Sequence, residues 1–164
     1  MLMCECLEDL FQNVTNQIKL DDSLESSQQI ISNYCGNDWK KYITKPEVCY
    51  NKTLVMRNEV AELYVITWSP NSESKIHDHP QIGCVMKVVQ GNLREDIYIR
   101  KDQTSAKFDK TNYLVSNSVG FKTGNDILHK ITNINNDNDN DRCTISIHIY
   151  SKPEYIQNRY VEIL

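Results

Sequence analysis
The feature that most constrains this chain is a change of period. Before residue 50 apolar residues recur every third or fourth position; from Tyr50 onward they recur every second. The alternation is cleanest in CTISIHIY, residues 143–150. An extended backbone sends successive side chains to opposite faces, so Cys143, Ile145, Ile147 and Ile149 share one face. Thr144, Ser146, His148 and Tyr150 share the other. A strand of this kind fits between an apolar layer and an enclosed polar cavity, as in the wall of a small barrel.

Further strand-like runs lie at residues 63–68, 83–90, 93–100, 119–122 and 127–132. Pro70 with Asn71, Gly91 with Asn92, and Gly124 with Asn125 supply turns between them. Short strands without intervening helices predict an antiparallel sandwich or barrel over residues 50–155. Residues 1–45 read as helical. Leu7, Leu10, Phe11, Val14 and Ile18 form an amphipathic stripe. Asp21, Asp22 and Ser23 offer caps for a second helix with Leu24, Ile31, Tyr34 and Cys35, closing near Gly36. A third turn carries Trp39 and Tyr42. The 164 residues are expected to form a single domain.

A net charge of −4 without a basic cluster argues against nucleic acid or an acidic membrane surface as partner. Glu5, Glu8 and Asp9 interrupt the first apolar residues, so no export signal is expected; the six cysteines are then read as reduced thiols of a cytoplasmic protein. Cys4 and Cys6 lack the second pair that a zinc set needs. The Asn- and Asp-rich segment 133–141 fails the calcium-loop pattern, since Arg142 and His148 stand where Gly and Glu are required; a flexible connection is expected there.

All four histidines fall in the β region. His77 and His79 are two apart, and His129 lies in DILHKIT. Three converging imidazoles suit iron, zinc, copper or nickel. The spacing adds context: after His79 come four residues, Cys84, six residues and Gly91, and His129 is followed by Asn133. This pattern resembles the two motifs of the cupins, with Cys84 in the usual glutamate position. The second motif is partial, lacking the family's Pro and Gly upstream of His129. The run HDHPQIGCVMKVVQGNLRED, followed by SIHIYS, is similar to animal-type cysteine dioxygenases. That resemblance implies a cupin or jelly-roll barrel with N-terminal helices packed outside.

It further implies Fe(2+) on His77, His79 and His129, a thioether between Cys84 and Tyr150, and Ser146 and His148 in support of Tyr150. Tyr50 and Lys52 would bind the substrate carboxylate, with nearby Arg57 the next candidate. The implied reaction joins L-cysteine and O2 to give cysteine sulfinate, in a monomer. Two departures stand out: Lys52 replaces the family's arginine, and Tyr150-Ser151-Lys152-Pro153 replaces Tyr-Ser-Pro-Pro, so the Ser–Pro bond that is cis in the family is lost. The chain also stops at Leu164, short of the family's C-terminal strands, which leaves a thinner lid as an expectation. Lys52 keeps open 3-mercaptopropionate, cysteamine or an N-terminal cysteine as substrate, and a metal-binding cupin without activity remains the alternative of another class.

Overall fold
The structure, a computed structural model, describes residues 4–135 and 143–164. Helix α1 spans Leu7–Asp21 and α2 spans Gln28–Ser32, followed by a 3-10 helix at Asp38–Tyr42. Ten strands follow: β1 Tyr50–Arg57, β2 Glu62–Trp68, β3 Ile76–His77, β4 Gly83–Gln90, β5 Leu93–Arg100, β6 Ser105–Leu114, β7 Val119–Lys122, β8 Ile127–Asn133, β9 Thr144–Ser151 and β10 Arg159–Ile163. One sheet has the order β1-β2-β9-β4-β7, and the other closes on itself as β10-β3-β8-β5-β6. All pairings are antiparallel except β10 with β6. The mainly β architecture with helices at the N-terminus is the expected one.

The stripe of α1 is buried as the periodicity predicts: Leu7, Leu10, Phe11, Val14 and Ile18 pack in one core with Val65, Val85, Ile145, Ile147 and Ile149. The helices therefore cover the outer face of the first sheet. Cys6 caps α1, its thiol accepting from Asp9 N at 3.4 Å. Asp22 ends that helix in the left-handed region (φ 53°) instead of starting the next, so the second helix is shorter than its apolar residues suggest. Lys87, buried on the outer face, donates from Nζ to Ser32 O (2.9 Å) and Tyr34 O (2.6 Å), satisfying carbonyls at and just past the end of α2.

Four strands escape the periodicity reading. β1 and β6 carry many charged or polar side chains, β3 has two residues, and β10 lies beyond residue 155, where the barrel was expected to end. β10 pairs with both β3 and β6 and so closes the second sheet. Gly91 of the first cupin-like motif sits at φ 80°, and a Cβ there would collide with Thr144 Oγ1. Asn133 is the last residue of β8, fully buried, donating from Nδ2 to Trp68 O and Ser69 O at 3.0 Å each. Asn133, the first residue of the expected flexible segment, is thus an ordered strand residue, and most of that segment lies outside the described residues. The Ser151–Lys152 peptide bond is cis although no proline follows. No described helix is long and apolar enough to cross a membrane.

The outer row of β9 is expected to carry stability alone. Ile147→Ala should cost about 2–5 kcal/mol through lost contacts and a cavity. Urea denaturation should register that loss, while metal content stays at the wild-type level, because Ile147 points away from the barrel interior.

Candidate metal centre
β9 aligns the inner faces of its neighbours. In register, Cys84 lies opposite Tyr150, Met86 opposite His148 and Val88 opposite Ser146 on one side. Glu62, Tyr64 and Ile66 take the corresponding places on the other. The second sheet brings His77 opposite His129, and His129 opposite Ile97. His79 follows β3, its N–H donating to Gly124 O at 3.0 Å.

His77, His79 and His129 are all buried, and their ring nitrogens converge. His129 Nε2 lies 3.1 Å from His77 Nε2 and 3.0 Å from His79 Nε2. The outer nitrogens decide what these contacts are. His77 Nδ1 faces Lys75 O at 2.8 Å, so it carries the proton and donates. His129 Nδ1 faces Glu95 Oε1 at 2.8 Å and donates likewise. Both Nε2 atoms then present lone pairs to each other, a repulsive contact unless a cation lies between them. His79 Nδ1 is buried without a hydrogen-bond partner among the described residues.

The spacing fits a metal. An imidazole–metal bond is about 2.1 Å, which puts two ligands at a right angle about 3.0 Å apart and two tetrahedral ligands about 3.4 Å apart. The separations at His129, 3.0 and 3.1 Å, are close enough for the rings to share one ion. Burial keeps the donors neutral. His77 is pushed down to about 3 by desolvation, with neighbouring His129 adding to it. Desolvation also lowers His79 and His129, the latter opposed by Glu95.

Glu95 is the main residue the sequence reading missed. Burial alone would raise its pKa, but the His129 hydrogen bond and the Lys122 ammonium, 3.1 Å from Oε1, hold it at about 2. Asn112 Nδ2 donates to its other oxygen at 3.1 Å. A signal existed: Glu95 shares a strand face with Leu93 and Ile97, a single carboxylate on an apolar row.

The cavity beside the histidines has a volume of about 20 Å³. Tyr50, Lys52, Trp68, His148, Tyr150 and Gln157 line it with His77 and His129. His148 does not join the triad. Its Nε2 is 2.9 Å from Ser146 Oγ and its Nδ1 is 3.3 Å from Tyr150 Oη. Trp68 Nε1 donates to Ser146 Oγ at 2.9 Å. The Ser146 proton then has His148 Nε2 as its acceptor, so the imidazole proton sits on Nδ1 and points to the Tyr150 oxygen. Desolvation, with Lys52 nearby, keeps His148 neutral. The Cys84 thiol is pushed up to about 12 by burial, against the pull of Lys52 and a hydrogen bond to Tyr150; burial and Cys84 raise Tyr150 well above the usual phenol range.

Tyr50 stacks on Trp68 with ring centroids 4.6 Å apart. Lys52 Nζ lies 4.5 Å from the Tyr150 ring centroid and 4.6 Å from that of Tyr64. Desolvation lowers its pKa, opposed by Cys84 and Glu62. Arg57 is committed elsewhere, to Glu62 at 2.6 Å and Glu154 at 2.9 Å.

A closed β architecture holding three converging histidines defines a metal-binding cupin. Among solved structures, a Klebsiella pneumoniae protein with a double-stranded β-helix domain superposes with TM-score 0.57 at 14% identity, covering 74% of this chain and 88% of its own. An RmlC-like cupin from Shewanella frigidimarina gives TM-score 0.51 at 14% identity, covering 68% and 84%. These likenesses concern the fold. The chain belongs to the cysteine dioxygenase type I family, whose model matches residues 3–162. Zebrafish (Danio rerio) cysteine dioxygenase type 1 is 30% identical over 157 residues, covering 91% of this chain and 76% of the relative. The bovine (Bos taurus) protein of that name is 28% identical over 136 residues, covering 80% and 66%. The chain thus matches 66% to 76% of the length of these relatives.

Substitutions should separate ligands from supports. His129→Ala should lose most bound metal. Glu95→Gln should fold but bind metal about 10–100-fold more weakly, since it loses the charge that orients His129. His148→Ala should keep its metal. Metal titration after chelation checks all three, and full metal retention in His129→Ala would refute the triad.

Proposed function
We propose that this chain is a thiol dioxygenase that holds Fe(2+) on His77, His79 and His129 and converts L-cysteine and O2 to cysteine sulfinate. The observation that carries the reading is the convergence of three buried imidazole lone pairs beside a cavity also lined by Lys52 and Tyr150. Bound iron supplies the redox chemistry that lets O2 react with a thiolate. His77, His79 and His129, being neutral, would bring no charge to the ion they hold, so the site would favour a thiolate over a thiol, whose free pKa is about 8.5.

The protein side chains do the rest. Lys52 attracts the substrate carboxylate and fixes which end of the molecule lies outward. Tyr150 receives a proton contact from His148 Nδ1 on its oxygen, so its own O–H is left to donate to Cys84 or to a group in the cavity. Trp68 and Ser146 hold His148 in that tautomer. Burial of the histidines, Trp68 and Tyr150 keeps bulk water away from the sulfur. Both oxygen atoms end on sulfur: the thiol gains O2 and becomes the sulfinic acid, with no further reductant required.

A second reading of specificity rests on Lys52. Its ammonium is one compact charge where a guanidinium would offer two parallel donors, so 3-mercaptopropionate, which keeps the carboxylate, competes with cysteine in this reading. Oxygen uptake and product analysis with iron-loaded protein across L-cysteine, 3-mercaptopropionate and cysteamine test the reading. Sulfinate formation with cysteine is expected, and no uptake with any thiol would overturn it. Lys52→Met should raise KM for cysteine about tenfold or more and shrink the preference over cysteamine. An unchanged preference would mean that the carboxylate is held elsewhere.

Cys84 and Tyr150 face each other across β4 and β9. We propose a thioether there: Sγ bonds to a ring carbon next to the phenol oxygen, and the S–H and C–H hydrogens pass with two electrons to O2, which leaves as hydrogen peroxide. Intact mass after turnover should fall by about two hydrogen masses, and Cys84→Ala should lack the change. Peptides with both side chains free after extensive turnover would contradict it.

A further inference from the structure
We propose that Gln157 is a specificity-determining residue, its carboxamide sharing the substrate carboxylate with the Lys52 ammonium. This rests on the thiol dioxygenase reading.

The inner cavity, about 20 Å³, has room for about one water, which needs about 10–15 Å³. A cysteine molecule enters only if a lining side chain moves. Trp68, Ser74, His77, His129, His148 and Tyr150 are buried. Three lining residues remain near solvent: Tyr50, Lys52 and Gln157. Tyr50 is stacked on Trp68 and Lys52 is seated between two tyrosine rings. Gln157 is half-buried, and its side chain makes no hydrogen bond or ion pair among the described residues. It is the free element of the wall.

Gln157 also lines an outer chamber of about 350 Å³, which shares Lys52 and Tyr150 with the inner cavity. A route from chamber to histidines passes these three residues. The chain near Gln157 is tethered at Glu154 and at Asn158. Glu154 pairs with Arg57 at 2.9 Å. Asn158 donates from its backbone N to Asp78 Oδ1 (2.8 Å) and from Nδ2 to Asp78 Oδ2 (2.7 Å). Asp78 is fully buried between His77 and His79. The movement open to Gln157 is therefore rotation of its side chain, with the main chain tied to the loop that bears the metal ligands.

A carboxylate entering beside Lys52 brings two oxygens, and Lys52 supplies one compact charge. The Gln157 amide supplies a neutral donor at the same mouth, and it has no partner to give up. The ligand class is a small thiol bearing a carboxylate; an amine without one gains nothing from this contact.

Iron-loaded wild type, Gln157→Met and Gln157→Glu are compared by steady-state oxygen uptake and by anaerobic calorimetry with L-cysteine. Gln157→Met should raise KM and Kd for L-cysteine about tenfold, leave kcat near wild type and leave cysteamine unaffected. Gln157→Glu should weaken cysteine further and move the preference toward cysteamine. Unchanged cysteine affinity in Gln157→Met, or equal shifts for cysteine and cysteamine, would overturn the assignment while wild-type turnover upholds the dioxygenase reading. A wild type that takes up no oxygen with any thiol would remove the reading itself, and the role of Gln157 with it.

Discussion

Two imidazole lone pairs held 3.1 Å apart in a buried site repel unless something positive lies between them. That constraint organises the centre of this protein. The proton positions behind it are set from outside: Lys75 O and Glu95 Oε1 each take an Nδ1 proton, at 2.8 Å in both cases. Desolvation then keeps the rings from accepting a second proton. Protonation, the other way to relieve the repulsion, is thus made costly by the same burial that makes a metal attractive. The second sheet, with His77 opposite His129 opposite Ile97, maintains this crowding against the tendency of the rings to separate.

The first sheet contributes direction. Indole is a donor only, so Trp68 sets the sense of the chain that runs through Ser146 and His148 to Tyr150. Reversing it would leave the buried Ser146 proton without an acceptor, a cost of about 1–3 kcal/mol. The result is a tyrosine hydroxyl whose own proton is left to donate to Cys84 or into the cavity. β9 carries this chain on one face and the Ile145, Ile147 and Ile149 row on the other, so the packing of the helices and the orientation of the polar chain are fixed by the same eight-residue strand.

Both faces of β9 were legible because period two is a local property. The triad was legible because His77 and His79 lie on one short segment and the interval to Cys84 and Gly91 is a fixed pattern. β6 was not: Lys107, Asp109 and Lys110 are exposed, so its sequence lacks the apolar alternation that marks a half-buried strand. β10 owes its place to pairing with β3 and β6, which are distant in sequence. Glu95, Trp68 and Asp78 act through register or through contacts about 34 to 80 residues away, and no local period encodes those. The position of Lys52 on the inner face followed from the family pattern, but its seat between the Tyr64 and Tyr150 rings did not.

The charges around the cavity form a consistent set. Glu95 is offset by Lys122, and Glu62 by Arg57, which also holds Glu154. Among the described residues, Lys52 has no carboxylate within ion-pair distance; its ammonium rests on two aromatic rings. A cation on the histidine triad would add to that excess, because neutral imidazoles bring no charge. A ligand with two negative ends then matches both: a thiolate toward the metal and a carboxylate toward Lys52. An aminothiol without the carboxylate leaves Lys52 unpaired, and a thiol-free carboxylate leaves the triad side unmatched. The proposed preference for a molecule bearing both groups rests on where the compensated and uncompensated charges lie, before any detail of shape is considered.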